Sequence, residues 1–255
     1  MILCLDAGNT RAKWGLHDGV RWLRQQAVGY EDLPALAASV PRPVAHLLVC
    51  NVAGSSVQEK VEHLARQLAI PLTFFKSSAA CCGVQNSYDQ PARLGADRWA
   101  GLIAGRALLM AADADKTRSP EVASAIVVQA GTATTIDYLD AAGVFQGGLI
   151  LPGMSLMQQA LTKNTAGLKV DAASRADLAL HVPPKNTQDA IMGGALHATL
   201  GAIERMRALQ GAAQCIVSGG AAAYLLPHLA SPVWHVDYLV LEGLLQMAKE
   251  SGLLA

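Results

Sequence analysis

Residues 4–19 read CLDAGNTRAKWGLHDG, and residues 128–143 read VQAGTATTIDYLDAAG. Each stretch runs from an apolar, strand-like segment into a tight Ala-Gly turn with small polar side chains. A second strand-like segment and a polar turn with glycine follow. A plain hairpin asks only for turn residues. The first stretch adds a carboxylate, Asp6, and two cations, Arg11 and Lys13, beside Trp14. Aligned on their turns, the two stretches set Asp6 against Gln129, Gly8 against Gly131, and Asn9 and Thr10 against Thr132 and Ala133. Self-similarity half a chain apart marks a repeated structural unit. Glycine leaves backbone N–H groups with little steric cover, so two such turns, one per domain and facing each other, can hold the phosphates of one nucleotide. A Walker-A loop and a Rossmann glycine fingerprint are both absent from the sequence.

The 255 residues are 52% hydrophobic and 16% charged, enough for one large α/β domain or two ordinary ones, and too apolar for disorder. Zero formal net charge, with no basic run, argues against a nucleic-acid partner. Five cysteines, two of them adjacent at Cys81 and Cys82, show no zinc-ligand spacing and read as buried, reduced thiols. Asp6 ends the first apolar run before a signal peptide could form, and Arg106 interrupts the longest one, GLIAGRALLMAA. The expectation is a cytoplasmic protein that takes no membrane or nucleic acid as partner.

Strand-type runs fall at Ile2–Leu5, Lys13–His17, His46–Val52, Leu72–Phe75, Ala125–Gln129, Thr135–Leu139 and Cys215–Ser218. Helix-type segments are Ser56–Ala69, Asp97–Ala111, Met154–Leu161, Asn186–Leu209 and Leu241–Ala248, the first with Val57, Val61, Leu64 and Leu68 on one face. The mixture predicts α/β layers. The polar segment Ala112–Glu121, ADADKTRSPE, reads as a linker. It divides an N-terminal domain, 1–115, from a C-terminal one, 120–255, whose last helix packs back on the first.

Five short motifs occur in order: DAGNT at 6–10, GADR at 95–98, GTATT at 131–135, GGLILPG at 147–153 and SGG at 218–220. Together they resemble the type III pantothenate kinases, members of the superfold shared by actin, sugar kinases and heat-shock chaperone ATPases. The resemblance implies two similar ribonuclease H-like (actin-type ATPase) α/β domains, each a mixed sheet flanked by helices, with a cleft between them. It also implies ATP-dependent phosphorylation of pantothenate to 4′-phosphopantothenate, the first step of coenzyme A biosynthesis. Mg²⁺ and a monovalent cation, K⁺ or NH₄⁺, would assist, and the enzyme would be a homodimer.

Residue chemistry gives the parts. Asn9 and Thr10 can donate to phosphate oxygens, Lys13 can neutralise charge, and Asp6 suits Mg²⁺, directly or through water. By resemblance the ATP-binding set runs through Asp6, Ala7, Gly8, Asn9, Thr10, Arg11, Ala12 and Lys13, with Thr132 in the second turn and Gly219 and Gly220 at the adenosine. Asp97, at a helix start, is either a cap or, by resemblance, the general base for the substrate hydroxyl. Arg98 either binds the substrate carboxylate or braces an acid. Tyr88 is either a loop tyrosine or a substrate contact, with Gly95 and Ala96 in the same substrate-binding stretch. Thr187 either caps a helix or contacts pantothenate near the dimer interface. Gln129 stands where many relatives carry an Asp associated with K⁺, and an amide lacks that charge. Two rivals remain: a kinase of the same superfold acting on another small hydroxylated substrate, and a nucleotide-binding accessory factor for a transcription regulator. A pure binding module needs no base, so Asp97 beside Asp6 and Thr132 favours an enzyme.

Overall fold

The computed structural model describes residues 1–114, 123–164 and 180–254. The chain divides into two compact units: Met1–Val122 with Ala141–Gln146 and Tyr238–Ala255, and Ala123–Asp140 with Gly147–Asp237.

In the first unit, β1 (Ile2–Ala7) is buried along its whole length. It pairs antiparallel with β2 (Ala12–His17), and β2 pairs antiparallel with β3 (Trp22–Val28). After a short helix, α1 (Leu36–Ser39), β4 (His46–Asn51) joins the other side of β1 in parallel. Helix α2 (Ser55–Leu68) then leads to β5 (Leu72–Phe74), parallel to β4. The sheet order is β3-β2-β1-β4-β5. The apolar stripe Val57, Val61, Leu64 and Leu68 of α2 packs on Leu3, Leu5, Leu47 and Val49. Strands β6 (Ala80–Cys81) and β7 (Val84–Asn86) form a tight hairpin, followed by α3 (Ala96–Ala114).

The second unit holds β8 (Ala125–Ala130), β9 (Ala133–Leu139) and β10 (Val144–Pro152), whose first residues, Val144 and Phe145, belong to the first unit and pair with β7. Then come α4 (Met154–Asn164), α5 (Thr187–Gln210), β11 (Gln214–Ser218), α6 (Ala222–Leu225) and β12 (Val233–His235). Strands β8 and β9 are antiparallel, while β11 joins β8, and β12 joins β11, in parallel. The order β10-β9-β8-β11-β12 repeats that of the first sheet, third-second-first-fourth-fifth. Ile126, Val128 and Val217 pack on Met192, Leu196 and Ile203 of α5.

Helix α7 (Leu239–Glu250) closes the chain within the first unit, against α3. A Cβ on Gly243 would lie 1.9 Å from the Ala100 carbonyl oxygen, so glycine alone permits this approach.

The expected α/β class with mixed sheets flanked by helices is what forms. Each expected strand and helix exists, with ends shifted by a few residues. Five strands were not anticipated: β3, β6, β7, β10 and β12. The linker reading is corrected at its start, because α3 continues through Ala114; residues 115–121 of that segment lie outside the described residues. The reading of all cysteines as buried is also corrected: Cys4, Cys50 and Cys215 are buried, but Cys81 and Cys82 are partly exposed.

Candidate active site

In the first unit the phosphate-type turn joins β1 to β2. Asp6 is the penultimate residue of β1, 6% exposed, and its partner across the antiparallel ladder is Lys13. Carboxylate and ammonium therefore leave the same face of the sheet. Asn9, Thr10 and Arg11 are exposed at the turn, and Ala7 and Ala12 are buried beneath it. The Tyr30 hydroxyl donates to the Gly8 carbonyl and fixes the turn from outside. Sequence reasoning missed Tyr30, which lies 22 residues from its partner.

Helix α3 begins at Ala96, which places Asp97 inside the first turn and corrects the capping alternative. The Arg98 N–H donates to Asp97 Oδ1 at 2.8 Å. A Cβ on Gly95 would stand 2.7 Å from that same Oδ1, so the glycine clears space for the carboxylate. Arg98 is buried, its guanidinium 5.8 Å from the Tyr88 ring centroid and 5.7 Å from that of Phe145. Those two rings stack at 6.1 Å. Tyr88 and Arg98 thus form one aromatic–cation group with Phe145, a residue the sequence did not single out.

The acids of this unit share one field. Burial pushes the Asp6 carboxyl up to about 6; Lys13 opposes the rise and Asp97 adds to it. Burial and then Asp6 push the Tyr30 phenol up to about 12. The Cys50 thiol rises by burial and then through both Asp6 and Asp97. A buried carboxylate within the field of a second one is the charge pattern that a hard divalent cation relieves. Asp6, with Asp97 in its field, therefore fits a hard divalent cation.

In the second unit the equivalent turn joins β8 to β9. Gln129, half-buried, has Thr135 as its ladder partner on one side and Ser218 on the other. Asp6 and Lys13 span seven positions, whereas Gln129 and Thr135 span six, so this turn is one residue shorter than its counterpart. The Gly131 N–H donates to the Ala133 carbonyl, and the Gly153 N–H donates to the Thr132 carbonyl. A Cβ on Gly153 would lie 2.2 Å from Gly131 O and 2.5 Å from Thr132 O. The last glycine of GGLILPG therefore buttresses the second turn. Gly219, at φ +103°, packs its Cα against the Ala130 carbonyl, whereas Gly220 is exposed with open space around it. Asp137, fully buried on the same sheet face as Thr135, is a carboxylate that sequence reasoning passed over.

Asn186, not Thr187, caps α5: its side chain accepts from the Asp189 N–H at 2.9 Å. Thr187 is the first helical residue and lines a cavity of about 650 Å³ with Pro152, Met157, Leu161 and Ile191.

The sequence model of type III pantothenate kinases matches residues 2–208. The chain belongs to that family. It is 42% identical to a type III pantothenate kinase of Aromatoleum aromaticum over 258 aligned positions, covering 99% of both chains. A type III pantothenate kinase of Dechloromonas aromatica is 41% identical, with 98% of this chain and all of the relative covered. Among solved structures, a conserved Baf family protein from Campylobacter jejuni superposes with a TM-score of 0.66 at 18% identity, covering 99% of this chain and 100% of that one. A ROK hexokinase from Thermus thermophilus gives 0.50 at 15%, covering 98% and 99%. These likenesses establish the fold, that of the actin-like ATPases and sugar kinases. Four of the five motifs stand within this family member at the turns and the helix start described above, and GGLILPG runs along β10 with its last glycine against the second turn. Among the described residues no helix is long and apolar enough to cross a membrane.

Proposed function

We propose that this kinase transfers the γ-phosphoryl group of ATP to the primary hydroxyl of pantothenate, giving 4′-phosphopantothenate and ADP and opening coenzyme A biosynthesis. The observation that carries the reading is the pairing of Asp6 and Asp97 in one field, with a phosphate-type turn on one acid and a helix start on the other. A purely binding module has no use for the second carboxylate. Phosphoryl transfer needs positioned phosphates, a neutralised charge and an acceptor for the hydroxyl proton.

Asn9, Thr10, Arg11 and Lys13 hold phosphate oxygens, with Gly8 allowing close backbone approach. Thr132 adds a contact from the second turn, and Gly219 and Gly220 leave room for adenosine. Mg²⁺ at Asp6 would neutralise charge that develops on the phosphates. Asp97 takes the substrate proton. Gly95 and Ala96 shape the approach to it, and Arg98 and Tyr88 bind the substrate's carboxylate side. Thr187, at the edge of its apolar cavity, is a further pantothenate contact. Gln129 replaces a charged ligand at the monovalent-cation position, so activity should depend only weakly on K⁺ or NH₄⁺.

Exposed Leu149, Ile150, Leu156 and Leu161 of the second unit supply apolar surface for a homodimer. A monomer mass by light scattering would contradict that. Five free cysteines suit the reducing cytoplasm in which we place the protein.

The test is substitution of the base. Asp97→Asn should lower kcat by about 10²–10⁴-fold while ATP affinity stays near wild type. Near-normal turnover would remove Asp97 from this role.

A further inference from the structure

The β6–β7 hairpin carries a cluster that phosphoryl transfer does not use. Cys81 Sγ lies 3.5 Å from Cys82 Sγ and 3.4 Å from Glu250 Oε2. The same oxygen accepts from the Cys82 N–H at 2.7 Å. Cys81 and Val84 are paired across the hairpin, so its loop is Cys82–Gly83, with φ +51° and +72°. Two positive φ values define the type I′ turn, whose first central position favours Asn, Asp or Gly. Cysteine there sits in a disfavoured backbone region. Ala69, a helix cap, is the other non-glycine residue with positive φ among the described residues. Glu250 is also unexpected, since an anion in the last turn of α7 opposes the helix dipole. A strained thiol and an ill-placed carboxylate meet at one point from segments 168 residues apart.

We propose that Cys81, Cys82 and Glu250 form a binding site for a thiophilic divalent cation of the zinc class, outside the kinase centre. Geometry carries the assignment. A tetrahedral zinc with Zn–S of about 2.3 Å and Zn–O of about 2.0–2.2 Å has S···S edges of roughly 3.8 Å and S···O edges of roughly 3.5 Å. The observed 3.5 and 3.4 Å separations approach those edges without backbone movement. This is the one group of three His, Cys, Asp or Glu ligand atoms within 4.8 Å of one another among the described residues. Cys82 and Glu250 border a cavity of about 470 Å³, which Arg106 and Lys249 also line. The fourth ligand, water or a small anion, enters from there, and the two cations balance the excess charge of two thiolates and a carboxylate. On binding, both thiol protons pass to solvent. The ion then clips the hairpin to the end of α7.

The full-length protein, kept reduced with a phosphine, is titrated with Co²⁺ as an optical probe. One equivalent should bind with sulfur-to-cobalt charge transfer and tetrahedral d–d absorption, and Zn²⁺ should displace it. C81S and C82S should each weaken binding tenfold or more, and E250Q should weaken it similarly while keeping the charge-transfer band. In the unsubstituted protein, Zn²⁺ should slow iodoacetamide labelling of Cys81 and Cys82, read by peptide mass spectrometry, whether or not the variants fold. Absence of a thiolate band, a band that survives in the double serine variant, unchanged affinity in E250Q, or labelling indifferent to Zn²⁺ would overturn the proposal.

Discussion

Substitution of Gly153 by alanine tests whether the second turn is held in shape from behind. The new Cβ would stand 2.2 Å from Gly131 O and 2.5 Å from Thr132 O, both backbone atoms of the turn. Carbon–oxygen contacts settle near 3.3–3.6 Å, so the turn or the start of α4 must retreat by about 1 Å. Overpacking of this kind costs about 1–3 kcal/mol, or roughly 2–12 °C in Tm for a chain of this size. A 1 Å displacement of a phosphate contact costs on the order of 10²-fold in rate, about 2.7 kcal/mol of transition-state stabilisation. Thr132 should therefore lose its grip, and kcat/KM for ATP should fall by about that factor. The control is Gly201→Ala in α5, where nothing beyond the chain neighbours and the helix's own backbone lies within 4 Å of the added Cβ. A glycine in an open helical position should gain about 0.5–1 kcal/mol on becoming alanine. Differential scanning fluorimetry and initial rates read both variants. If Gly153→Ala melts with wild type and keeps kcat/KM within about twofold, Gly153 does not set the turn.

Three further outcomes follow, two from the first unit and one from the second. Because burial holds the Asp6 carboxyl at about 6 in the folded protein, the folded state binds a proton that the unfolded chain has already released between about 3.9 and 6. Asp6 therefore adds stability fully below the lower value and loses it as pH rises through the upper one, up to about 3 kcal/mol. Melts without divalent ions should show this loss, and Asp6→Asn should remove it; a loss of equal size in Asp6→Asn would exclude Asp6 as the source. Tyr30→Phe removes the hydrogen bond to the Gly8 carbonyl and should cost about 0.5–1.5 kcal/mol with a raised KM for ATP. An unchanged KM would show that the turn holds itself. Asn186→Ala should destabilise by about 1 kcal/mol through the lost α5 cap, whereas Thr187→Ala should change the KM for pantothenate with little effect on Tm. Thermal melts and saturation kinetics separate the two.

The duplicated turn was legible because both copies keep a strand, a glycine and small polar residues in local order. That local record placed the two glycine turns, their leading strands and the helix that begins near Asp97. It did not show that the first turn is one residue longer than the second, since register depends on cross-strand pairing. Strand β3, WLRQQAV, carries charge and glutamines without alternation, because it pairs along an edge with most of its side chains exposed. The Arg98–Tyr88–Phe145 group and the Tyr30 latch join residues with no common sequence signal. Asn186 took the capping role because its side chain reaches Asp189, which frees Thr187. The steric demands on Gly95, Gly153 and Gly219 become visible only once their neighbours are in place.

The central claim is tested most directly by mixing the purified protein with ATP, Mg²⁺ and pantothenate and quantifying products by mass spectrometry. Equal amounts of ADP and 4′-phosphopantothenate are expected, with Asp97→Asn forming them about 10²–10⁴-fold more slowly under the same conditions. ATP bound without pantothenate-dependent product, or product formed equally well by Asp97→Asn, would contradict it.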